Sequence, residues 1–262
     1  MIGLGIPAVE PMLWTLMFVM VRVGAAFVAA PVFGAMAVPL QVRVLLSGAI
    51  AVLVLKVNPV EPPAQLISLV TFLMIAQEAL VGLALGFVVQ IAFAAPLIAS
   101  EIIGGSMGLN FAASVDPQNG AATPALGQFL SVVTTLLFLA LDGHLVLTDL
   151  VVRSYQMLPP GAAWLSPAQI WGIIGFGTYA FTAGLLLALP VGFVVLSLNI
   201  IVGMLSRSAP ALNLFAVGLP AGMAVGLVAI AIAFPAMGDF LSSIVTYSLQ
   251  MVDQLVLGGG NG

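Results

Sequence analysis

Four residues with chemistry to offer are embedded in apolar runs of this chain: Arg22, Glu78, Asp142 and His144. A charge at the centre of a membrane helix costs about 2.5 to 3.5 kcal/mol on the insertion scale, so such groups require partners or water. One chemistry open to them is an ion path or proton relay. The other is structural, an Arg22 to Glu78 pair, with the remaining groups contacting helix ends. A relay ordinarily gathers more than one carboxylate at one site, which favours the structural reading. His144 is the single histidine and no serine or cysteine nucleophile motif accompanies it. Gly143-His144 therefore reads as helix-end capping rather than as a general base, and no enzyme is expected.

The elements around these residues are set by composition. Of 262 residues, 62% are hydrophobic and 5% charged, and the mean hydropathy is +1.27. A soluble domain carries about 25% charged residues, so the chain reads as an all-α, polytopic integral membrane protein. The start MIGLGIPAVE has no basic n-region, and the first helix is expected to act as its own signal. With no cysteine, one histidine and no Walker A pattern, no metal, cofactor or nucleotide is expected. A net charge of −4 argues against a nucleic-acid partner.

About six hydrophobic helical segments follow in order, some long and kinked. Residues 11–30 form the first, interrupted at Arg22, and a Pro- and Gly-rich turn leads to a second that Arg43 opens and Lys56 closes. Residues 64–100 are apolar without a turn signal before Pro96, and 168–206 hold Pro190 midway; as continuous helices both exceed a bilayer core of about 30 Å. Pro190 predicts a kink. Residues 125–152 read as a helix interrupted at Asp142-Gly143-His144. The last strong span runs from Leu214 to Phe234, followed by a separate amphipathic tail over 236–262. Gly82 with Gly86, and Gly218, Gly222 and Gly226, recur every four residues and predict close helix packing, the second set as a ridge for another backbone. Loop charges leave orientation tied, Arg43 and Arg207 against Lys56 and Arg153.

One stretch stands apart, EIIGGSMGLNFAASVDPQNGAATP at 101–124. Its glycines and prolines argue against regular helix, yet Met107, Leu109 and Phe111 are too apolar for an aqueous loop. Irregular chain at membrane depth survives only against protein or in a water-filled cavity. The stretch is therefore a candidate gate or plug.

In order and spacing the chain resembles a known family, the FliR component of the flagellar type III export gate, with injectisome relatives SpaR and YscT. The resemblance rests on Arg22 with Pro31, Pro39 and Arg43, and on Gln77-Glu78 followed by Gly82 and Gly86. It continues through Glu101-Ile-Ile-Gly104 with Met107-Gly108 and Asp116-Pro117, Asp142-Gly143-His144, and Ala209-Pro210 followed by Gly218 and Pro220. It implies a single export-gate membrane domain over 1–262, in helical hairpins around a channel of the bacterial inner membrane at the flagellar basal body. The implied partners are FliP and FliQ within the gate, then FlhB and FlhA, with unfolded export substrates in transit. Residues 104–122 would be the channel plug, carried by Gly104, Gly105, Met107, Gly108, Leu109, Asn110, Phe111, Asp116 and Pro117. Two positions depart from the family, Ser100 for a frequent glycine and Ser106 for a frequent glutamine, so the contact that holds the plug shut is not inherited. The alternatives are a secondary transporter with a midplane site between broken helices at the glycine stretch and Pro190, for which no internal repeat is found, and the equivalent injectisome subunit.

Overall fold

The computed structural model describes residues 9–60, 68–109, 125–161, 165–208 and 214–257, and every element among them is a helix. In order these are α1 (Val9–Ala29), α2 (Leu40–Val57), α3 (Leu69–Ala92), α4 (Ala94–Ser106), α5 (Ala125–Ala140), α6 (Gly143–Met157), α7 (Pro167–Ser208) and α8 (Leu214–Leu257). Five of the described helical stretches are long and apolar enough to cross a membrane, and a sixth is added when α5 and α6 count as one broken span. The chain forms two compact units, residues 1–91, 142–177 and 246–262 in the first, and 92–141 and 178–245 in the second.

In the first unit, α1 buries Val19, Arg22, Val23, Ala26 and Phe27, a single stripe at three- and four-residue spacing. The turn into α2 is set by local chemistry. Val32 takes a left-handed conformation (φ 68°), Phe33 stacks on Phe27 at 4.4 Å between ring centroids, and the Arg43 guanidinium donates to the Ala35 carbonyl at 2.5 Å. On α3 the buried face is Glu78, Val81, Leu85, Val88 and Val89, with Gly82 and Gly86 between them. A Cβ at Gly82 would strike the Arg22 carbonyl and one at Gly86 the Ala26 carbonyl. Because both contact series advance together along the sequence, α1 and α3 run parallel with backbones touching. Along α6, Leu147, Leu150, Val151, Ser154 and Tyr155 share one buried face. The first turn of α7 is a capping box: Ser166 N–H donates to Gln169 Oε1 at 2.7 Å and Gln169 N–H to Ser166 Oγ at 3.2 Å, with Pro167 at the first helical position, where no N–H is needed.

The second unit is built on small residues. Ala92, Ala95, Ala99, Ile103 and Met107 pack with Ala183, Leu187 and Val191 of α7, Leu130 of α5 and Met237, Leu241 and Ile244 of α8. A Cβ at Gly184 would come within 2.7 Å of Ile98 Cβ and 2.9 Å of the Ala95 carbonyl. Close approach of α4 and α7 therefore depends on that glycine.

Two expectations are corrected, those on Gly104 with Gly105 and on residues 236–257. Gly104 and Gly105 are helical, because α4 continues to Ser106; two glycines in a last turn weaken a helix without breaking it. Of the two outcomes open to the overlong segment, projection or a break, the structure has the break, at Phe93, three residues before Pro96, whose ring opposes a helical bond to the Ala92 carbonyl. Residues 236–257 are no separate tail: α8 is one helix carrying Pro220 and Pro235, with Met237, Leu241, Ile244 and Val245 buried. Pro190 lies inside α7, which runs unbroken from Pro167 to Ser208. Asn110, Phe111, Asp116 and Pro117, expected in the plug, lie outside the described residues.

Candidate functional site

Two constellations deserve a geometric account, one in each unit. In the first, Arg22 and Glu78 are both fully buried and meet in a two-pronged pair, Nε to Oε2 at 2.9 Å and Nη2 to Oε1 at 2.7 Å. The guanidinium also donates through Nη1 to Ser154 Oγ at 3.1 Å and through Nη2 to the Leu158 carbonyl at 2.8 Å. Its carbon lies 4.1 Å from the Tyr155 ring centre, and the Tyr155 hydroxyl donates to the Val19 carbonyl at 2.8 Å. One cation thus joins α1, α3 and the end of α6. Both carboxylate oxygens of Glu78 accept from Arg22, which is the arrangement of a closed structural pair.

Asp142 and His144 are not part of it. Asp142 is exposed at the break between α5 and α6, in the left-handed region (φ 54°), and its carbonyl accepts from the Leu145 and Val146 amides. His144 is half-buried, and its Nδ1 has no hydrogen-bond partner among the described residues. The two residues punctuate the helix break and share no hydrogen bond with Arg22 or Glu78 among the described residues.

In the second unit the described part of the proposed plug sits at the end of α4. Met107 is buried and lies across α8: a Cβ at Gly222 would be 3.4 Å from the Met107 carbonyl, and one at Gly226 would come within 2.6 Å of its side chain. Gly222 and Gly226 are buried, Gly218 half-buried. The glycine ridge receives Met107 of its own chain, backbone at Gly222 and side chain at Gly226. Gly108 follows in a left-handed conformation (φ 78°). Beyond it an apolar pocket of about 520 Å³ is lined by Met107, Leu109, Ala125, Phe129, Leu227 and Phe234. Leu109 and Ala125 bound the 110–124 stretch, so both ends of that stretch open onto one pocket.

Several participants were not singled out from the sequence. Ser154 and Tyr155 lie on the buried stripe of α6 and were legible from its spacing. Asn199, a lone amide in the run LSLNIIV, donates through Nδ2 to the Ser106 carbonyl at 3.0 Å. The Ser166 to Gln169 capping box was spelled out by Ser-Pro-Ala-Gln.

Long apolar helices, a neutralised buried ion pair and backbone-close glycine contacts define a multi-pass helical membrane protein. Residues 13–247 match the family described as bacterial export proteins, family 1. The flagellar biosynthetic protein FliR of Escherichia coli (strain K12) is 33% identical over 237 residues, covering 90% of each chain. That of Pectobacterium carotovorum subsp. carotovorum is 35% identical over 242 residues, again covering 90% of each. FliR of Bacillus subtilis (strain 168) is 28% identical over 250 residues, covering 92% of this chain and 93% of its own. The chain belongs to family 1 of the bacterial export proteins, the FliR family.

Proposed function

We propose that this member of a flagellar export family works as the FliR-type subunit of the type III protein-export gate, a noncatalytic component that forms with FliP and FliQ a channel for unfolded substrates across the inner membrane. FlhB and FlhA are the further partners of that assembly. The whole chain acts as one gate domain, and residues beyond Gly108 serve as the channel plug. The observation that carries the plug reading is the convergence of Leu109 and Ala125 on one apolar pocket: a stretch that leaves and returns at the same place can be inserted or withdrawn without disturbing the helices that bear it.

Partners are supported by length and exposure. Helices of 42 and 44 residues have contours of about 63 and 66 Å by rise per residue, twice a bilayer core. Phe181, Phe193, Leu227, Val228 and Ile232 are exposed along them. Lipid covers only part of such a surface, and neighbouring polypeptides cover the rest. The transporter alternative loses its second broken helix, since Pro190 lies within continuous helix, and Glu78 is committed to Arg22.

The test has two arms. Native mass spectrometry of the tagged chain with its neighbouring membrane proteins should find one copy inside a complex with FliP-like and FliQ-like chains; a solitary stable monomer would return the transporter reading. Deletion of residues 109–119, beyond the helix end, should leave assembly intact and make membranes leaky to small ions. Tight membranes containing the assembled deletion variant would defeat the plug.

A further inference from the structure

We propose that the outward face of α8 around Asp239 is a docking surface for a partner helix that carries a basic residue opposite this carboxylate. The inference rests on the gate reading above, in which neighbouring polypeptides cover α8. From Leu214 to Met237 the helix holds no polar side chain, and Asp239 is its first charge. Asp239 is exposed and makes no hydrogen bond or ion pair among the described residues. Acids outnumber bases in the chain by nine to five. Of those bases, Arg22 is committed to Glu78 and Arg153 to Asp149 and Asp253. A counter-charge for Asp239 has to come from another molecule.

The surroundings of Asp239 suit neither lipid nor water. Val228, Ile232, Pro235, Gly238, Asp239 and Ser242 follow at three- and four-residue spacing and share one face. Val228 is 60% and Ile232 77% exposed, so in water this face leaves apolar area uncovered. In lipid the carboxylate, about 10 Å along the helix from Ile232 by rise per residue, lacks a partner. A polypeptide satisfies both, with apolar side chains against Val228 and Ile232 and a donor against Asp239. The backbone is bare where such a helix would lie: a Cβ at Gly238 meets nothing within 4 Å. Gly238 and Ser242 have the four-residue spacing of small residues at which helices approach closely, and Ser242 Oγ is turned onto the Gly238 carbonyl at 2.9 Å. Pro235 has no N–H, so the Ala231 carbonyl lacks the donor four residues on. That carbonyl and the carboxylate both accept and cannot donate, which selects a partner rich in donors with a cation at Asp239. An arginine would meet both carboxylate oxygens, as Arg22 does for Glu78.

Complex yield and thiol protection, both read in the full gate complex, test the surface. Asp239→Leu and the shape-preserving Asp239→Asn each strand the partner's cation and should lower the yield at least about tenfold, the factor of one hydrogen bond to a charged group. Asp239→Glu should retain it; a loss equal to that of Asp239→Asn would overturn the cation. Asp239→Lys should abolish assembly, and selection for restored export should return replacements of a basic residue in a neighbouring chain, whereas suppressors confined to this chain would count against the surface. The chain contains no cysteine, so Ser242→Cys gives it a unique thiol beside Asp239. In the assembled complex that thiol should resist a small maleimide in permeabilised membranes. Wild-type or higher yield from Asp239→Leu would show that the face lies in lipid, and rapid labelling of the assembled Ser242→Cys complex would show that it faces water; either result overturns the docking surface. Equal assembly of wild type and Asp239→Leu rejects this surface alone, whereas a wild-type chain that enters no complex rejects the gate reading beneath it.

Discussion

Removing either member of the Arg22 to Glu78 pair should harm the protein far more than removing both. Glu78→Gln leaves a fully buried guanidinium facing a neutral amide, and Arg22→Met leaves a buried carboxylate with neither of its donors. Breaking one side of a buried pair costs about 3 to 5 kcal/mol. In the double variant Arg22→Met with Glu78→Met no charge is stranded. What remains is the Leu158 carbonyl without its Arg22 donor, a loss of about 1 to 3 kcal/mol. Ser154 keeps its hydroxyl bond to the Val151 carbonyl at 2.7 Å. The singles together should thus exceed the double by at least about 3 kcal/mol, a coupling expected only of groups in contact. The geometry further predicts that the charge swap, Arg22→Glu with Glu78→Arg, fails: a guanidinium launched from α3 leaves behind Ser154, Leu158 and the Tyr155 ring that the native one engages. The assay is the yield and thermal midpoint of the purified gate complex for all variants in parallel, ranked wild type, apolar double, then the singles and the swap. Additive losses in the double, or a swap as stable as wild type, would refute the reasoning.

Three further outcomes follow from single contacts. Gly86→Ala drives a methyl into the Ala26 carbonyl and to 2.9 Å from the Ala29 Cβ and should lower the thermal midpoint through about 1 to 3 kcal/mol of overpacking; Gly48→Ala, which meets only Met20 at 3.7 Å, should be neutral or stabilising by up to about 1 kcal/mol. Gly226→Val should expel Met107 from its seat, giving ion leak in vesicles with complex yield preserved; tight vesicles would show that the seat does not hold the gate. Gln169→Ala removes half of the capping box and the donor to the Leu255 carbonyl at 2.7 Å, costing about 1 kcal/mol, and hydrogen exchange should speed up in the first turn of α7.

The sequence by itself determined the class. Apolar runs of span length, a charged fraction far too low for a soluble domain, the turn at Pro31 to Pro39 and the interruption at Asp142-Gly143-His144 follow from transfer energies and backbone sterics, which act locally. It also announced that Arg22 and Glu78 needed partners, because burial of charge is costly wherever it occurs, and it marked the Gly82 to Gly86 face by spacing alone. Only the tertiary structure decided which partners are used. Ser154, the Leu158 carbonyl and Tyr155 lie more than a hundred residues from Arg22, and no local pattern says which polar atom will meet a distant guanidinium. The same holds for the glycines of α8: four-residue spacing permits a close neighbour without naming it, and the neighbour is Met107 of the same chain. Helix boundaries moved for a related reason. Gly104 and Gly105 oppose helix by propensity, yet packing of Ile103 and Met107 in the core of the second unit outweighs about 1 kcal/mol per glycine, and the break falls at Gly108, where the backbone turns left-handed. Long-range packing sets where such a helix stops, and a sequence read residue by residue carries only the local half of that balance.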